Sequence, residues 1–252
     1  MKSVLSFALA VFLAGLFPAL AGPPHAQAVF IDLPVAVDGK LNEPAWAQAQ
    51  PIFYPAGKNL QNGGTEARFL WTTAGVYVAF ETIERTPIFG HFAAGQPLYQ
   101  EDVFELFIDQ KGDHRQWYEL QINPAGQLFL KNYVFTAPPR ITPQGRLAQE
   151  YCDSEMWRYE MPIPPGLEAA SALNRQTHRW VAEVFLPAEM VNKRRGGAPM
   201  ASSKWRINLV RHDWTEAPEV STRQPNFMYW APVLPGHPHL SPTLMGYLEL
   251  KK

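Results

Sequence analysis

Glu105, Glu119, Gln121 and Asn123 fall within one stretch, residues 100–130, which reads QEDVFELFIDQKGDHRQWYELQINPAGQLFL. Carboxylates and carboxamides at alternating positions of neighbouring strands make a planar array of acceptors and donors. That array suits the hydroxyl groups of a saccharide, with nearby aromatic rings covering the apolar faces of a pyranose. The same residues are also the ordinary polar complement of a solvated antiparallel sheet face, so both readings stay open at this level. Glu105 and Glu119 could be cast as the acid and nucleophile of a glycosidase, which needs two carboxyl groups flanking the scissile bond. Nothing in their spacing sets a separation or raises one pKa, and a hydrolase is not expected.

Other groups capable of chemistry are more scattered. His237 and His239 form a His-x-His pair, with His212 and Asp213 elsewhere, but Pro238 favours a loop and no third metal ligand is identifiable. Asp109, Gly112 and Asp113 offer oxygens to calcium, although a plain turn accounts for them better. His91, Met228, His237, His239 and Met245 are of the types that ligate b-type haem, and core methionines with surface histidines explain them equally well. Covalent haem is excluded, since there is no Cys-x-x-Cys-His. No metal ligand is assigned.

The elements that must position the polar array follow from period-two alternation. Phe104, Leu106 and Ile108 share one face of a strand, opposite Val103, Glu105, Phe107 and Asp109. Gln110-Lys111-Gly112-Asp113 turns the chain into a second strand, with Tyr118, Leu120 and Ile122 on one face and Trp117, Glu119, Gln121 and Asn123 on the other. Pro124-Ala125-Gly126 makes the next turn, and 127–133 reads as a third strand.

Elsewhere, 36–40 reads as a strand entering an Asp-Gly turn. Asn42 is a candidate cap for a helical turn begun by Pro44, with Trp46 packed beneath. Residues 67–73 and 76–84 form a hairpin. Strands follow at 178–186, 205–211 and 244–250, with a helical turn at 187–191. Segments 86–99, 136–151 and 159–172 read as loops. There is no internal repeat and no linker.

The 252 residues, 46% of them hydrophobic and 24 of them proline, suit one loop-rich all-β domain. A formal net charge of −1 provides no basic field for nucleic acid. Lys2, an apolar run from Val4 to Leu16 and small-residue sites at 19–21 and 26–28 make a secretory signal. Cleavage is expected after Ala28 in preference to Ala21, leaving one domain over 29–252. The expected product is secreted or periplasmic, with no lipid-anchor cysteine at its start and no membrane anchor. The lone Cys152 has no internal disulfide partner.

A series of motifs in order resembles the family 9 carbohydrate-binding modules. It comprises Val37-Asp38-Gly39 with Trp46; Phe69-Leu70-Trp71 running into Gly75-Val76-Tyr77-Val78-Ala79-Phe80; and 101–109, EDVFELFID. It continues through 180–187, WVAEVFLP, then 205–209, WRINL, and the closing 245–250, MGYLEL. The resemblance implies an immunoglobulin-like or jelly-roll β-sandwich of two antiparallel sheets, related to the DOMON sugar- and haem-binding domains, with long loops and one or two short helical turns. It also implies a mono- or oligosaccharide ligand and a role beside a glycan-active enzyme in glycan breakdown or uptake. By position, the family's binding glutamate falls on Glu105 and its asparagine on Asn123. Gln121 stands where the family has arginine, and Tyr99 and His239 stand where it has the two tryptophan walls. The expectation is therefore a non-catalytic sugar site of Tyr99, Glu105, Gln121, Asn123 and His239. The alternative is a haem-binding electron-transfer domain.

Overall fold

The structure is a computed structural model describing residues 22–56, 62–90, 96, 98–137, 140–143, 147–148, 156–192, 200–201, 203–214, 225–233 and 241–252. Its strands are β1 (His25–Phe30), β2 (Ile52–Tyr54), β3 (Thr65–Thr72), β4 (Gly75–Ile83), β5 (Val103–Asp109), β6 (Gln116–Ile122) and β7 (Leu128–Phe135). They continue with β8 (Met156–Glu160), β9 (Glu168–Asn174), β10 (Arg179–Pro187), β11 (Lys204–Asp213), β12 (Asn226–Tyr229) and β13 (Gly246–Lys251). One short helix, α1 (Ala188–Asn192), follows β10. No helix among the described residues is long and apolar enough to cross a membrane.

The strands pair in the order β8-β7-β6-β5-β11-β13-β1-β3-β4-β10-β9, with β12 on β11 and β2 on β3. The sheet curls over so that its two halves face each other as an all-β sandwich. Most pairs are antiparallel, but β1 runs parallel to both β13 and β3, and through it the two layers are one continuous sheet. The expected all-β sandwich is thus realised with its two layers joined through β1.

The alternation in β5 and β6 holds. Phe104, Leu106, Ile108, Tyr118, Leu120 and Ile122 all enter the main core. There Phe104 stacks on Phe80 and Trp180, with ring centroids 5.0 and 4.0 Å away. The hairpin β3–β4 and the strand β10 supply the facing layer through Phe69, Trp71, Val78, Ala182 and Val184.

Three local expectations change. Segment 36–40 has no strand; the Glu183 carboxylate holds it as a turn by accepting the Asp38, Gly39 and Lys40 N–H groups. Trp46 is buried beneath its 3-10 turn as expected, but Glu43 rather than Asn42 precedes that turn, with no side-chain cap. The stretch 159–172, expected as a loop, carries the end of β8 and most of β9. These are the two ends of the sheet path, where each strand has one backbone partner and only Ala169 and Leu173 of β9 pack partly on the core, so neither strand shows clear hydrophobic alternation.

Ala26 and Ala28 lie in the core, and β1 pairs with β13 from His25↔Tyr247 to Val29↔Lys251. A chain starting at Val29 would lose most of this strand, whereas one starting at Gly22 keeps it whole.

Candidate functional site

The face of β5 and β6 opposite the core carries Glu105, Glu119 and Gln121. It is not a solvated sheet face. Loop segments fold across it: Leu98 packs with Val103 and Phe129, and Leu147 and Met245 pack with Phe107, Trp117, Tyr133 and Val210. The result is a polar cluster beneath an apolar cover. Glu105 is 2% exposed and Gln121 0%.

Sheet register builds the cluster. Glu105 lies opposite Gln121 on one side and Val210 on the other, while Glu119 lies one step along, opposite Phe107 and Lys131. Gln121 Nε2 donates to Glu105 Oε1 at 3.0 Å and also to Glu119 Oε1. Both its hydrogens are thereby used. Its oxygen, Oε1, is buried with no partner. An unmet buried acceptor costs about 1–3 kcal/mol, so this amide is poised for an incoming hydroxyl donor.

Glu119 accepts from the Tyr133 hydroxyl at 2.5 Å. Burial and then the Glu105 charge push its carboxyl up to about 7. Tyr133 in turn is driven well above the usual phenol range by burial and by Glu119.

His212, seen in the sequence only as a possible metal ligand, completes the cluster. Its Nδ1 lies 2.9 Å from the Tyr99 carbonyl and its Nε2 3.3 Å from Glu105 Oε2. A ring facing acceptors at both nitrogens is best served as a doubly protonated imidazolium. Burial opposes that charge, but the charge and hydrogen bond of Glu105, the Tyr99 carbonyl and Glu119 outweigh it and hold His212 above its ordinary pKa. Phe227 meets the imidazole edge-on at 4.6 Å and lies parallel to Tyr229 at 6.0 Å. The Tyr229 phenol is pushed up to about 12 by burial and the nearby Glu105 charge.

Of the five expected site residues, the structure brings Glu105 and Gln121 into direct contact and links Tyr99 to them through its backbone carbonyl at His212. The Tyr99 ring is 40% exposed while its backbone holds His212. Asn123 makes its contacts in the turn that follows β6. Its Oδ1 accepts the N–H groups of Ala125 and Gln127, and its Nδ2 donates to Gln127 Oε1 and Glu101 Oε2. Its amide closes the β6–β7 turn. His239, like His91, His237 and Cys152, lies outside the described residues. Glu119, Tyr133 and His212 are the additions: alternation placed Glu119 on this face, while nothing local marks the other two.

The groups suited to metals or haem have structural neighbours. Met228 and Met245 are 1% exposed; Met228 belongs to the main core and Met245 to the cluster around Trp117. The Asp109 carboxylate accepts the N–H groups of Lys111, Gly112 and His114, and Asp113 accepts that of Arg115. Gly112 sits at φ +68°, a conformation glycine adopts without strain. Both carboxylates thus hold the β5–β6 turn.

A second buried acidic cluster joins Glu84, Asp102 and Asp213, whose carboxylate oxygens approach within 4.8 Å of one another. Its cation is Arg211, which donates to Glu84 and to Thr82 Oγ1 and lies 3.7 Å from Asp213. Every carboxylate oxygen there has a donor. Thr86 serves the second Glu84 oxygen; Phe89 and Trp214 N–H serve Asp102; Asn62 and Asn226 serve Asp213. Burial raises Asp102 well above the carboxylate range despite the Arg211 charge. With donors already on each oxygen, this cluster ties β4, β5 and β11 together and leaves no lone carboxylate pointing at a common centre.

No protein-family model and no curated protein matches the chain. Solved structures do. A family 9 carbohydrate-binding module from Caldicellulosiruptor kristjanssonii in complex with glucose superposes with a TM-score of 0.60 at 11% identity, over 90% of this chain and 95% of that one. The same organism's module with cellotriose gives 0.58 at 11% identity, over 90% and 93%. A protein from Bacteroides uniformis, assigned as carbohydrate-binding, gives 0.65 at 13% identity, over 91% and 100%. At these identities the likeness is one of fold, and the fold is that of a family 9-like carbohydrate-binding module.

Proposed function

We propose that this protein is a non-catalytic carbohydrate-binding module whose site centres on Glu105 and Gln121. The observation that carries the reading is the unmet Gln121 Oε1, buried next to the Glu105 carboxylate. A sugar offers adjacent hydroxyls, one to donate to the amide oxygen and one to the carboxylate. The fold is shared with modules whose structures contain glucose and cellotriose. The ligand is a mono- or oligosaccharide that enters beside Tyr99. His212 holds Glu105 in place and balances its charge.

Hydrolysis is a poorer fit. Glu105 and Glu119 share one amide nitrogen on a single sheet face, and both Glu119 oxygens are already occupied. Retaining and inverting mechanisms instead need carboxyl groups on either side of the bond being cut.

The protein is exported, and its mature chain starts near Gly22, which preserves β1; intact mass of secreted material reads that start directly. In the periplasm or outside the cell it works beside a glycan-active enzyme or transporter. With no arginine at position 121 and a tyrosine wall, affinity falls at about 0.1–10 mM. NMR titration with glucose, cellobiose and other mono- and disaccharides tests the reading through the amides around Glu105 and Tyr99. Shifts confined to other regions, or no shifts at tens of millimolar sugar, overturn it.

A further inference from the structure

One end of the sheet path, at β8, is exposed. Among the described residues β8 pairs only with β7, and residues 157–160 are all exposed. Trp157 is 65% and Tyr159 49% exposed, and Met161 and Ile163 continue the apolar character beyond them. Natural edge strands are commonly guarded by shortness, charged side chains, proline or a bulge. Here the two charges are Arg158 and Glu160, of opposite sign and two residues apart, and among the described residues neither has an ion-pair partner.

The backbone orientation of β8 is set. Met161 N–H donates to the Leu130 carbonyl at 2.8 Å, and the register runs Asn132↔Tyr159 and Val134↔Trp157. Hydrogen-bonding groups alternate along an antiparallel ladder. Those of Trp157, Tyr159 and Met161 therefore turn inward to β7, and those of Arg158 and Glu160 turn to the open edge.

We infer that the open edge of β8 pairs antiparallel with β8 of a second copy of this chain, about a two-fold axis at Tyr159. In that register Arg158 of each copy lies opposite Glu160 of the other and exchanges both backbone hydrogen bonds with it. Trp157 lies opposite Met161, and the two Tyr159 rings meet across the axis. Sliding by two residues keeps the backbone parity but sets Arg158 on Arg158 in one direction and Glu160 on Glu160 in the other. Like charges directly opposed are destabilising, so charge selects the first register. Pro162, which has no N–H, ends the pairing.

Such an interface is isologous. Opposed residues of paired strands lie on the same sheet face, so both copies turn their Glu105 faces the same way. This part of the inference rests on the sugar-site reading: two weak sites facing one side would bind a polymeric or surface-bound glycan with avidity.

Sedimentation velocity of the full chain over a concentration series, without sugar, tests the pairing. A reversible dimer is expected. Arg158→Glu and Glu160→Arg should each raise its dissociation constant about tenfold or more, and the double exchange should restore it, because two opposite-charge pairs are re-formed. In the unmutated protein, hydrogen exchange at the Arg158 and Glu160 amides should slow as concentration rises, which needs no variant to fold. A monomer at every concentration, or a dimer indifferent to either single reversal, overturns the inference. A double variant that folds but stays as dissociated as the singles does so too. So does a monomer that binds insoluble cellulose through Trp157 and loses that binding on Trp157→Ala; the edge would then be a glycan platform. Because association is read without ligand, its failure leaves the sugar site standing, and failure of the sugar titration leaves the dimer standing.

Discussion

Glu105 and His212 face each other on β5 and β11, with the carboxylate Oε2 3.3 Å from the imidazole Nε2. Glu105 is the principal force raising the pKa of this buried histidine against burial. Glu105→Gln should therefore lower the His212 pKa, read from its ring protons in an NMR titration. An unchanged value would mean that the two groups are not in contact.

The same substitution should weaken sugar binding by about 1–1.5 kcal/mol, because a charge-assisted bond becomes a neutral one. Asn123→Ala acts elsewhere. Its amide holds the β6–β7 turn, so stability should fall by about 1–2 kcal/mol while affinity changes little. Calorimetric titration beside urea unfolding separates the two effects.

Ile108 is 1% exposed in the middle of the main core. Truncation to Ala should cost about 2–5 kcal/mol in chemical denaturation. A change under about 0.5 kcal/mol would place β5 inside out.

Arg211 is the cation facing Glu84 and Asp213, and it is 0% exposed. Arg211→Met leaves buried carboxylates without their counter-charge and should cost about 3–5 kcal/mol or prevent folding. Arg211→Lys should recover only part of this, since an ammonium cannot reach Thr82 and Glu84 together as the planar fork does.

Glu119 shifts from an ordinary 4.5 up to about 7 in the fold, first through burial and then through the Glu105 charge. A raised carboxyl pKa means that the folded state holds its proton more tightly than the unfolded chain. The stability it lends is full below about pH 4.5 and is lost as pH rises to about 7, a swing of about 3 kcal/mol at 1.36 kcal/mol per unit. His212, also raised, changes in the same sense, its contribution disappearing as pH climbs through its folded value. Urea midpoints should therefore fall between pH 5 and pH 8, and Glu119→Gln should flatten that profile.

Much of the sheet is legible in the residues because burial leaves a mark with the period of a strand. Phe104, Leu106 and Ile108 alternate because one side of β5 is core, and the same parity places Glu105 and Gln121 on the other side. β8 and β9 leave a fainter mark: they sit at the ends of the sheet, where Ala169 and Leu173 only partly enter the core. β1 is hidden for another reason. Its Ala26 and Ala28 are small residues that also suit a signal-cleavage site, and only their pairing with β13 shows them to be core.

By itself the sequence determined which way each central strand faces, the all-β class and the company of Glu105 with Gln121, since these depend on local alternation and on strands adjacent along the chain. Tertiary structure alone decided that this polar face is covered, that His212 reaches Glu105 from β11, and that Asn123 belongs to a turn. It also decided that Arg211 neutralises carboxylates from three separate strands and loops. Each of these depends on which distant segments fold across a strand, and contacts between segments far apart in sequence leave no periodic signal in either one.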